Sequence, residues 1–126
     1  MAAAFIEHVN ISVSDVERTA RMLADVFGWR TRWEGAAASG GRTIHVGSDT
    51  HYLAVYSESW TPGAARGHSK GAPLNHVGVQ VDDLAGAEAR VKAAGLQPFG
   101  HGDYAPGRRF YFFDHDGIEY EVVSYA

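Results

Sequence analysis

The sequence predicts an α+β fold of two tandem β-α-β-β-β modules whose sheets curl around a cleft. The first observation is a stretch that occurs twice, Glu-His-Val-Asn-Ile-Ser-Val-Ser-Asp at 7–15 and Asn-His-Val-Gly-Val-Gln-Val-Asp-Asp at 75–83. The second is the strict alternation of apolar residues in both copies, which is typical of a strand with one buried face. The third is a nearly constant offset, 68 residues between the two histidines and 67 between Gly28 and Gly95. An internal duplication of this size indicates two like modules, which most simply pair their open faces.

Composition indicates a soluble globular domain. The 126 residues are 45% apolar and 21% charged, with a net charge of −4, which offers no electrostatic footprint for nucleic acid or an anionic membrane. No apolar run approaches the roughly 18–20 residues that span a bilayer, and the start of the chain lacks the features of a signal peptide. There is no cysteine, hence no disulfide framework and no thiolate ligand. A cytoplasmic protein is therefore expected.

The first module, residues 5–57, begins with a strand that carries the first histidine. Asp15 is placed to cap a helix, and Gly28 is placed to end it. The apolar residues of this helix recur at helical spacing: Val16, Thr19, Ala20, Leu23, Ala24 and Phe27. Three more strands are predicted after it, at 29–34, 42–46 and 51–56.

A segment rich in small and turn-forming residues, 58–73, is predicted to link the modules. The second module, residues 74–125, repeats the order of the first. Its helix is capped by Asp83 and closed by Gly95. Its strands are predicted at 74–81, 96–99, 109–113 and 118–125, with a turn around 100–107.

Each module has one histidine on the polar face of its first strand, His8 and His76. At the offset of 67, the last strand of the first module aligns with the last strand of the second, and Glu121 corresponds to Ala54. Two imidazoles and one carboxylate with open positions suit Fe(II), Mn(II), Co(II), Ni(II) or Zn(II). The open positions let a metal bind substrate or activate water. Glu119 shares the strand parity of Glu121, so the residue pattern leaves both carboxylates open as ligands.

The chain closes with Asp-His-Asp-Gly-Ile-Glu-Tyr-Glu at 114–121. Together with the duplicated unit and the histidine of each first strand, this motif resembles the vicinal oxygen chelate superfamily. That family includes glyoxalase I, extradiol dioxygenases, fosfomycin-resistance thiol transferases, methylmalonyl-CoA epimerase and bleomycin-binding proteins. The resemblance covers nearly the whole chain. The family's late motif is commonly Asp-Pro-Asp-Gly-Asn-x-x-Glu; here His115 replaces the proline and Ile118 the asparagine, which affects the turn more than ligation.

The resemblance implies that His8, His76 and Glu121 hold one divalent metal ion per site, and that the protein forms a homodimer. Glyoxalase I usually has a fourth ligand, a glutamate, where this chain has Ala54. The three-ligand pattern therefore looks more like the dioxygenases or the fosfomycin-resistance enzymes. Drug-binding members generally lack the metal ligands, whereas all three are present here.

Three further side chains are candidates for catalytic roles around the metal. Tyr111 would donate a proton or a hydrogen bond in the cleft, with core packing as the alternative. Arg109, beside Arg108, would hold an anionic substrate oxygen, with solvated surface charge as the alternative. His101 would contact substrate at the rim of the cleft.

The function expected from these features is that of a divalent-metal-dependent enzyme acting on a small substrate chelated through vicinal oxygens. Its chemistry would be dioxygenase-like, or that of a thiol transferase or lyase. The alternative is a non-catalytic, bleomycin-resistance-type protein that sequesters an antibiotic or similar aromatic cation. A third reading is a protein that binds the metal without catalysis. Ligand binding without metal and without turnover would favour the non-catalytic binding protein.

Overall fold

The computed structural model describes residues 6–37, 41–57, 74, 76–104 and 107–126. The chain divides into two compact units, residues 1–70 and 71–126. The linker predicted at 58–73 lies outside the described residues. Within the described part of the chain, no helix is long and apolar enough to cross a membrane.

The first unit consists of one helix and a four-stranded mixed sheet. Strand β1 runs parallel to β4, whereas β4, β3 and β2 are antiparallel neighbours, which gives the order β1-β4-β3-β2. The elements in chain order are β1 His8–Ser12, α1 Val16–Phe27, β2 Arg30–Ala36, β3 Arg42–Gly47 and β4 Tyr52–Ser57.

Helix α1 begins and ends at the residues that the sequence predicts. Asp15 caps it, its Oδ1 accepting the backbone N–H of Arg18 at 3.1 Å, and Gly28 follows it with a φ of 72°. Most of the predicted apolar stripe is buried and packs on one face of the sheet, where Ile44 and Val55 are also fully buried. Ala24 and Phe27 are only partly buried. The opposite face of this sheet therefore carries the polar and aromatic side chains.

The second unit repeats this arrangement. Its strand order is β5-β8-β7-β6, with β5 parallel to β8 and the other pairs antiparallel. Asp83 caps its helix through the backbone N–H of Gly86 at 3.0 Å, and Gly95 follows with a φ of 83°. The elements are β5 Val77–Gln80, α2 Leu84–Ala93, β6 Phe99–Tyr104, β7 Gly107–Phe113 and β8 Glu119–Ser124.

The strand registers reproduce the predicted duplication. Asn10 on β1 pairs with Ala54 on β4, and Gly78 on β5 pairs with Glu121 on β8. These are the same positions of the two modules, at the offsets of 68 and 67. The α+β fold class with two β-α-β-β-β modules is confirmed.

One strand assignment in the second module is wrong. The sequence predicts a strand at 96–99 and a turn at 100–107, but β6 occupies Phe99–Tyr104. Glycines at 100 and 102 favour a turn by local propensity, yet pairing with β7 keeps the segment extended around a register shift. Gly100 has a φ of 65°, and a Cβ there would meet the ring of Tyr111 at 2.9 Å, so the glycine permits this bulged strand.

Candidate metal centre

The last strand of the second unit presents two carboxylates on one face. Along β8, Glu119 and Glu121 alternate with Tyr120 and Val122, which are fully buried toward the helix. Because successive side chains of a strand point to opposite faces, both glutamates lie on the face away from α2. Their side chains are only 24% and 16% exposed.

His76 comes directly before β5, the strand parallel to β8, and its ring lies between the two carboxylates. Nε2 of His76 is 3.4 Å from Oε1 of Glu121, and Nδ1 is 3.5 Å from Oε2 of Glu119. The parallel pairing produces this juxtaposition, because Val77 pairs with Tyr120 and so brings residue 76 level with residue 119. Two of the three ligands predicted from the sequence thus lie side by side.

Arg109 and Tyr111 contact the other oxygen of the same carboxylate. Arg109 Nη1 donates to Glu121 Oε2 at 3.0 Å, and the Tyr111 hydroxyl donates to it at 3.1 Å. Both donors come from β7, two residues apart and therefore on one face, and Tyr111 pairs directly with Glu121. Two of the side chains predicted to surround the metal are thus in contact with a predicted ligand.

The His76 and Glu121 pair fits a divalent metal. Two donors that each lie about 2.0–2.2 Å from one ion are separated by about 3–3.5 Å at the usual coordination angles. The 3.4 Å between Nε2 and Oε1 falls in this range. Imidazole nitrogen with carboxylate oxygen is also a donor set that several divalent transition metals accept. Among the described residues, no group of three or more His, Asp or Glu side chains is arranged to hold an ion.

His8, the third predicted ligand, belongs to the first unit. Its Nδ1 lies 2.9 Å from Oε1 of Glu7, and its ring stacks on Tyr52 at a centroid distance of 4.9 Å. A carboxylate at Nδ1 favours the tautomer that carries the proton there and leaves Nε2 unprotonated, as partners of metal-bound histidines do. The surroundings of His8 are thus suited to ligation through Nε2.

A row of neighbouring aromatic rings crosses the sheet of the first unit. His45 stacks on Tyr52 at 4.5 Å, and Trp33 lies 5.2 Å from His45. With His8, the row has one ring on each of the four strands. Arg32 joins it, its guanidinium 4.5 Å above the Tyr52 ring. We call Trp33, His45, Tyr52 and His8 the ring row.

Burial and neighbouring charges shift the pKa values of two members of the ring row. Burial lowers the pKa of His45, and the charges of His8 and Arg32 lower it further. Burial raises the pKa of Tyr52, as does the charge of Glu7. His45 is therefore favoured in its neutral, stacking form.

No residue pattern in the sequence predicts the ring row directly. Arg32 and Trp33 are consecutive residues, which in a regular strand would point to opposite faces. A register shift between Thr31 and Trp33 allows Trp33 to lie beside His45 while Arg32 lies over Tyr52. Such a bulge cannot be read from residue types alone.

His101 lies elsewhere in the second unit. Its Nε2 is 3.0 Å from Oε1 of Glu88 on α2, and its ring stacks on Phe110, which is fully buried. The structure brings Arg109 and Tyr111 to Glu121 and brings His101 to the helix. A substrate role for His101 stays a prediction. Ala54, where glyoxalase I usually has its glutamate, is 3% exposed and pairs with Asn10.

Comparison with known families decides the relationship. The family model described as the glyoxalase/bleomycin resistance protein/dioxygenase superfamily matches residues 5–122. The chain belongs to this superfamily. The resemblance identified from the two histidines and the closing motif is thereby confirmed. No curated protein matches the sequence.

Solved structures share the fold across the full length. A glyoxalase/bleomycin resistance protein/dioxygenase domain from Frankia sp. EAN1pec has a TM-score of 0.78 at 19% identity, with 98% of each chain covered. The antibiotic-binding protein TnmS3 from Streptomyces sp. CB03234 has a TM-score of 0.73 at 21% identity and the same coverage. The fosfomycin resistance protein FosX from Listeria monocytogenes, solved with Mn(II) and a sulfate ion, has a TM-score of 0.71 at 17% identity, covering 98% of this chain and 93% of its own. At these identities the likeness concerns the fold alone.

Proposed function

We propose that the protein is a divalent-metal-dependent enzyme that acts on a small substrate chelated through vicinal oxygens. The proposed ligands are His8, His76 and Glu121. The chemistry is dioxygenase-like, or that of a thiol transferase or lyase. The metal is Fe, Mn, Ni, Co or Zn.

The observation that carries this proposal is the pair formed by His76 Nε2 and Glu121 Oε1, 3.4 Å apart on adjacent parallel strands. The residue repeat that singles out His76 also singles out His8, whose ring is held by Glu7 and Tyr52. FosX, which shares the fold, was solved with Mn(II). These features support a metal ion bound by His76 and Glu121, with His8 as the further ligand that the repeat singles out.

The residues of the chain have distinct tasks in this site. A bound divalent ion would supply Lewis-acid stabilisation of negative charge that develops on the substrate oxygens. His8, His76 and Glu121 would hold the ion, and Arg109 and Tyr111 orient the carboxylate of Glu121. The Tyr111 hydroxyl, 3.1 Å from Glu121 Oε2, would also donate a proton or a hydrogen bond in this site.

Elemental analysis of purified protein tests the proposal. Wild type reconstituted with each of the five metals should hold close to one ion per chain, and His8→Ala, His76→Ala and Glu121→Ala should each lose it. His51→Ala and His115→Ala, exposed histidines outside the pair, are the matched controls and should retain the metal. Retention of full metal content by the three ligand variants would rule out this site.

The ring row favours a second candidate function, the non-catalytic binding of an aromatic cation such as an antibiotic. Trp33 is 51% exposed at the end of the row and offers a ring face for stacking. TnmS3, an antibiotic-binding protein, has the same fold. Binding of an aromatic cation to the metal-free protein distinguishes the two candidates. The non-catalytic binding function requires it, and the metal-dependent enzyme does not.

The remaining expectations concern assembly and location. A homodimer stays a prediction, which light scattering of the purified protein tests directly. A cytoplasmic location likewise stays a prediction, which fractionation of the native cells would test.

A further inference from the structure

The two oxygens of the Glu121 carboxylate have different surroundings. Oε2 accepts hydrogen bonds from Arg109 and Tyr111, whereas Oε1 lies 3.4 Å from His76 Nε2. The Arg109 side chain is 13% exposed and that of Glu121 is 16% exposed. An ion pair with so little solvent access is weakly screened, so the bond to Oε2 is stronger than one on the surface.

The strand geometry explains why the two oxygens of Glu121 have different partners. Tyr111 stands directly opposite Glu121 across the antiparallel pair, and Arg109 stands opposite Val123, one step along the same face. Both donors therefore approach from β7. His76 approaches from β5, on the other side of β8 in the sheet. The carboxylate thus accepts two hydrogen bonds on one side and faces an imidazole on the other.

We propose that Arg109 and Tyr111 are positioning residues that make Glu121 a one-oxygen ligand, binding the metal through Oε1 alone. This inference rests on the proposed function. An oxygen that already accepts a charge-assisted bond and a phenolic bond must give up those bonds to bind metal as well. A carboxylate bound through one oxygen occupies one coordination position instead of two. The position left open is available to a second substrate oxygen.

The chemical consequence differs between the two donors. Arg109 donates to Glu121 through Nη1, so a lysine ammonium can supply the same charge and a donor at this site. Tyr111 contributes one hydroxyl, and phenylalanine keeps the ring while removing the bond. Arg109→Met removes both charge and donor but keeps an unbranched side chain of apolar atoms.

The test measures metal affinity and the coordination of Co(II) in five variants. Arg109→Met and Tyr111→Phe remove the bonds to Oε2, and Arg109→Lys restores one. Arg108→Met and Tyr125→Phe are matched controls, because both residues are exposed. Arg108 is adjacent to Arg109 in the sequence, and Tyr125 directly follows β8. Affinity is measured by competition with a chelating dye, coordination by visible absorption of the Co(II) protein, and folding by circular dichroism and thermal melting.

We expect Arg109→Met and Tyr111→Phe to bind Co(II) about 10–100-fold more weakly, the usual effect of removing a partner of a metal ligand. Their Co(II) spectra should change toward a higher coordination number as Glu121 binds through both oxygens. Arg109→Lys should recover the wild-type spectrum, and both controls should keep affinity and spectrum unchanged.

Wild-type affinity and spectrum in folded Arg109→Met and Tyr111→Phe would overturn the inference. If Arg109→Met does not fold, Tyr111→Phe alone decides, since it removes a single hydroxyl. Failure of the proposed function is a separate result: Glu121→Ala would then keep its metal. If Glu121→Ala loses its metal while Arg109→Met and Tyr111→Phe are unchanged, the metal site is retained and only the positioning role of Arg109 and Tyr111 is overturned.

Discussion

His76 Nε2 lies 3.4 Å from Glu121 Oε1, across two parallel strands that begin and end the second module. The sequence places these residues 45 positions apart, and the parallel pairing of β5 with β8 brings them together. The neighbouring Glu119 approaches the other ring nitrogen at 3.5 Å. This histidine between two carboxylates makes the identity of the ligating glutamate a testable question.

Glu121→Gln should abolish stoichiometric metal binding, whereas Glu119→Gln should retain it. The reason is that Glu121 faces Nε2 and has its second oxygen held, while Glu119 lies beside Nδ1. Elemental analysis of both variants after reconstitution measures this difference. Loss of metal in Glu119→Gln together with retention in Glu121→Gln would assign the ligand role to Glu119.

Trp33→Ala should weaken binding of a planar aromatic cation to the metal-free protein about 10-fold, which corresponds to about 1.4 kcal/mol of lost stacking. Trp33 is half exposed, so its removal costs little folding stability. Titration with an acridine dye, followed by fluorescence, gives the dissociation constants. Trp33→Phe keeps a ring and should retain most of the affinity. Equal affinity in wild type and Trp33→Ala would remove the ring row as a ligand surface.

Asp114 should make the stability of the protein fall as the pH rises above the usual range of aspartate. Burial raises the pKa of Asp114, although the backbone N–H groups of Ile118 and Asp116 oppose the shift. A carboxyl with a higher pKa in the folded state binds its proton more tightly when folded. Its contribution is therefore complete below the unfolded pKa and is lost as the pH rises through the folded pKa.

Urea unfolding at a series of pH values from about 3.5 to 7 measures this dependence, since the unfolded aspartate titrates near 3.9. Asp114→Asn should show a flatter profile than wild type over this window. Asp25→Asn, at an exposed position of α1, is the control and should follow wild type. Parallel profiles for wild type and Asp114→Asn would contradict the prediction.

Phe112→Ala should lower the free energy of unfolding by about 3–5 kcal/mol, because it opens a cavity in the core. Phe112 is fully buried and stacks on Tyr120, which is also fully buried. Phe113→Ala is the matched control one residue away, 49% exposed, and should cost about 1 kcal/mol or less. Chemical denaturation of both variants gives the comparison. A loss in Phe113→Ala as large as that in Phe112→Ala would contradict the assignment of Phe112 to the buried face of β7 and of Phe113 to the exposed face.

The sequence by itself determined the duplication, the fold class and the helix boundaries. Period-two alternation marks the face of each first strand on which Ile11 and Val79 are buried, although Val9 near the start of β1 is 38% exposed. Asp15 and Asp83 cap their helices because their carboxylates accept hydrogen bonds from N–H groups of the first turn. The repeat also singled out His8 and His76, since equal positions in two like modules indicate a shared task. These signals are local, or repeat at a fixed distance, and therefore survive in the bare sequence.

Tertiary structure decided the contacts that depend on strand pairing. Register brought Arg109 and Tyr111 to one oxygen of Glu121. A bulge allowed Trp33 to join the ring row while Arg32 contacts Tyr52. Pairing with β7 also kept the glycine-containing segment 99–104 extended, against its turn propensity. The physical reason is the same throughout. Hydrogen bonding between strands distant in sequence fixes which side chains meet, and no local preference specifies that register.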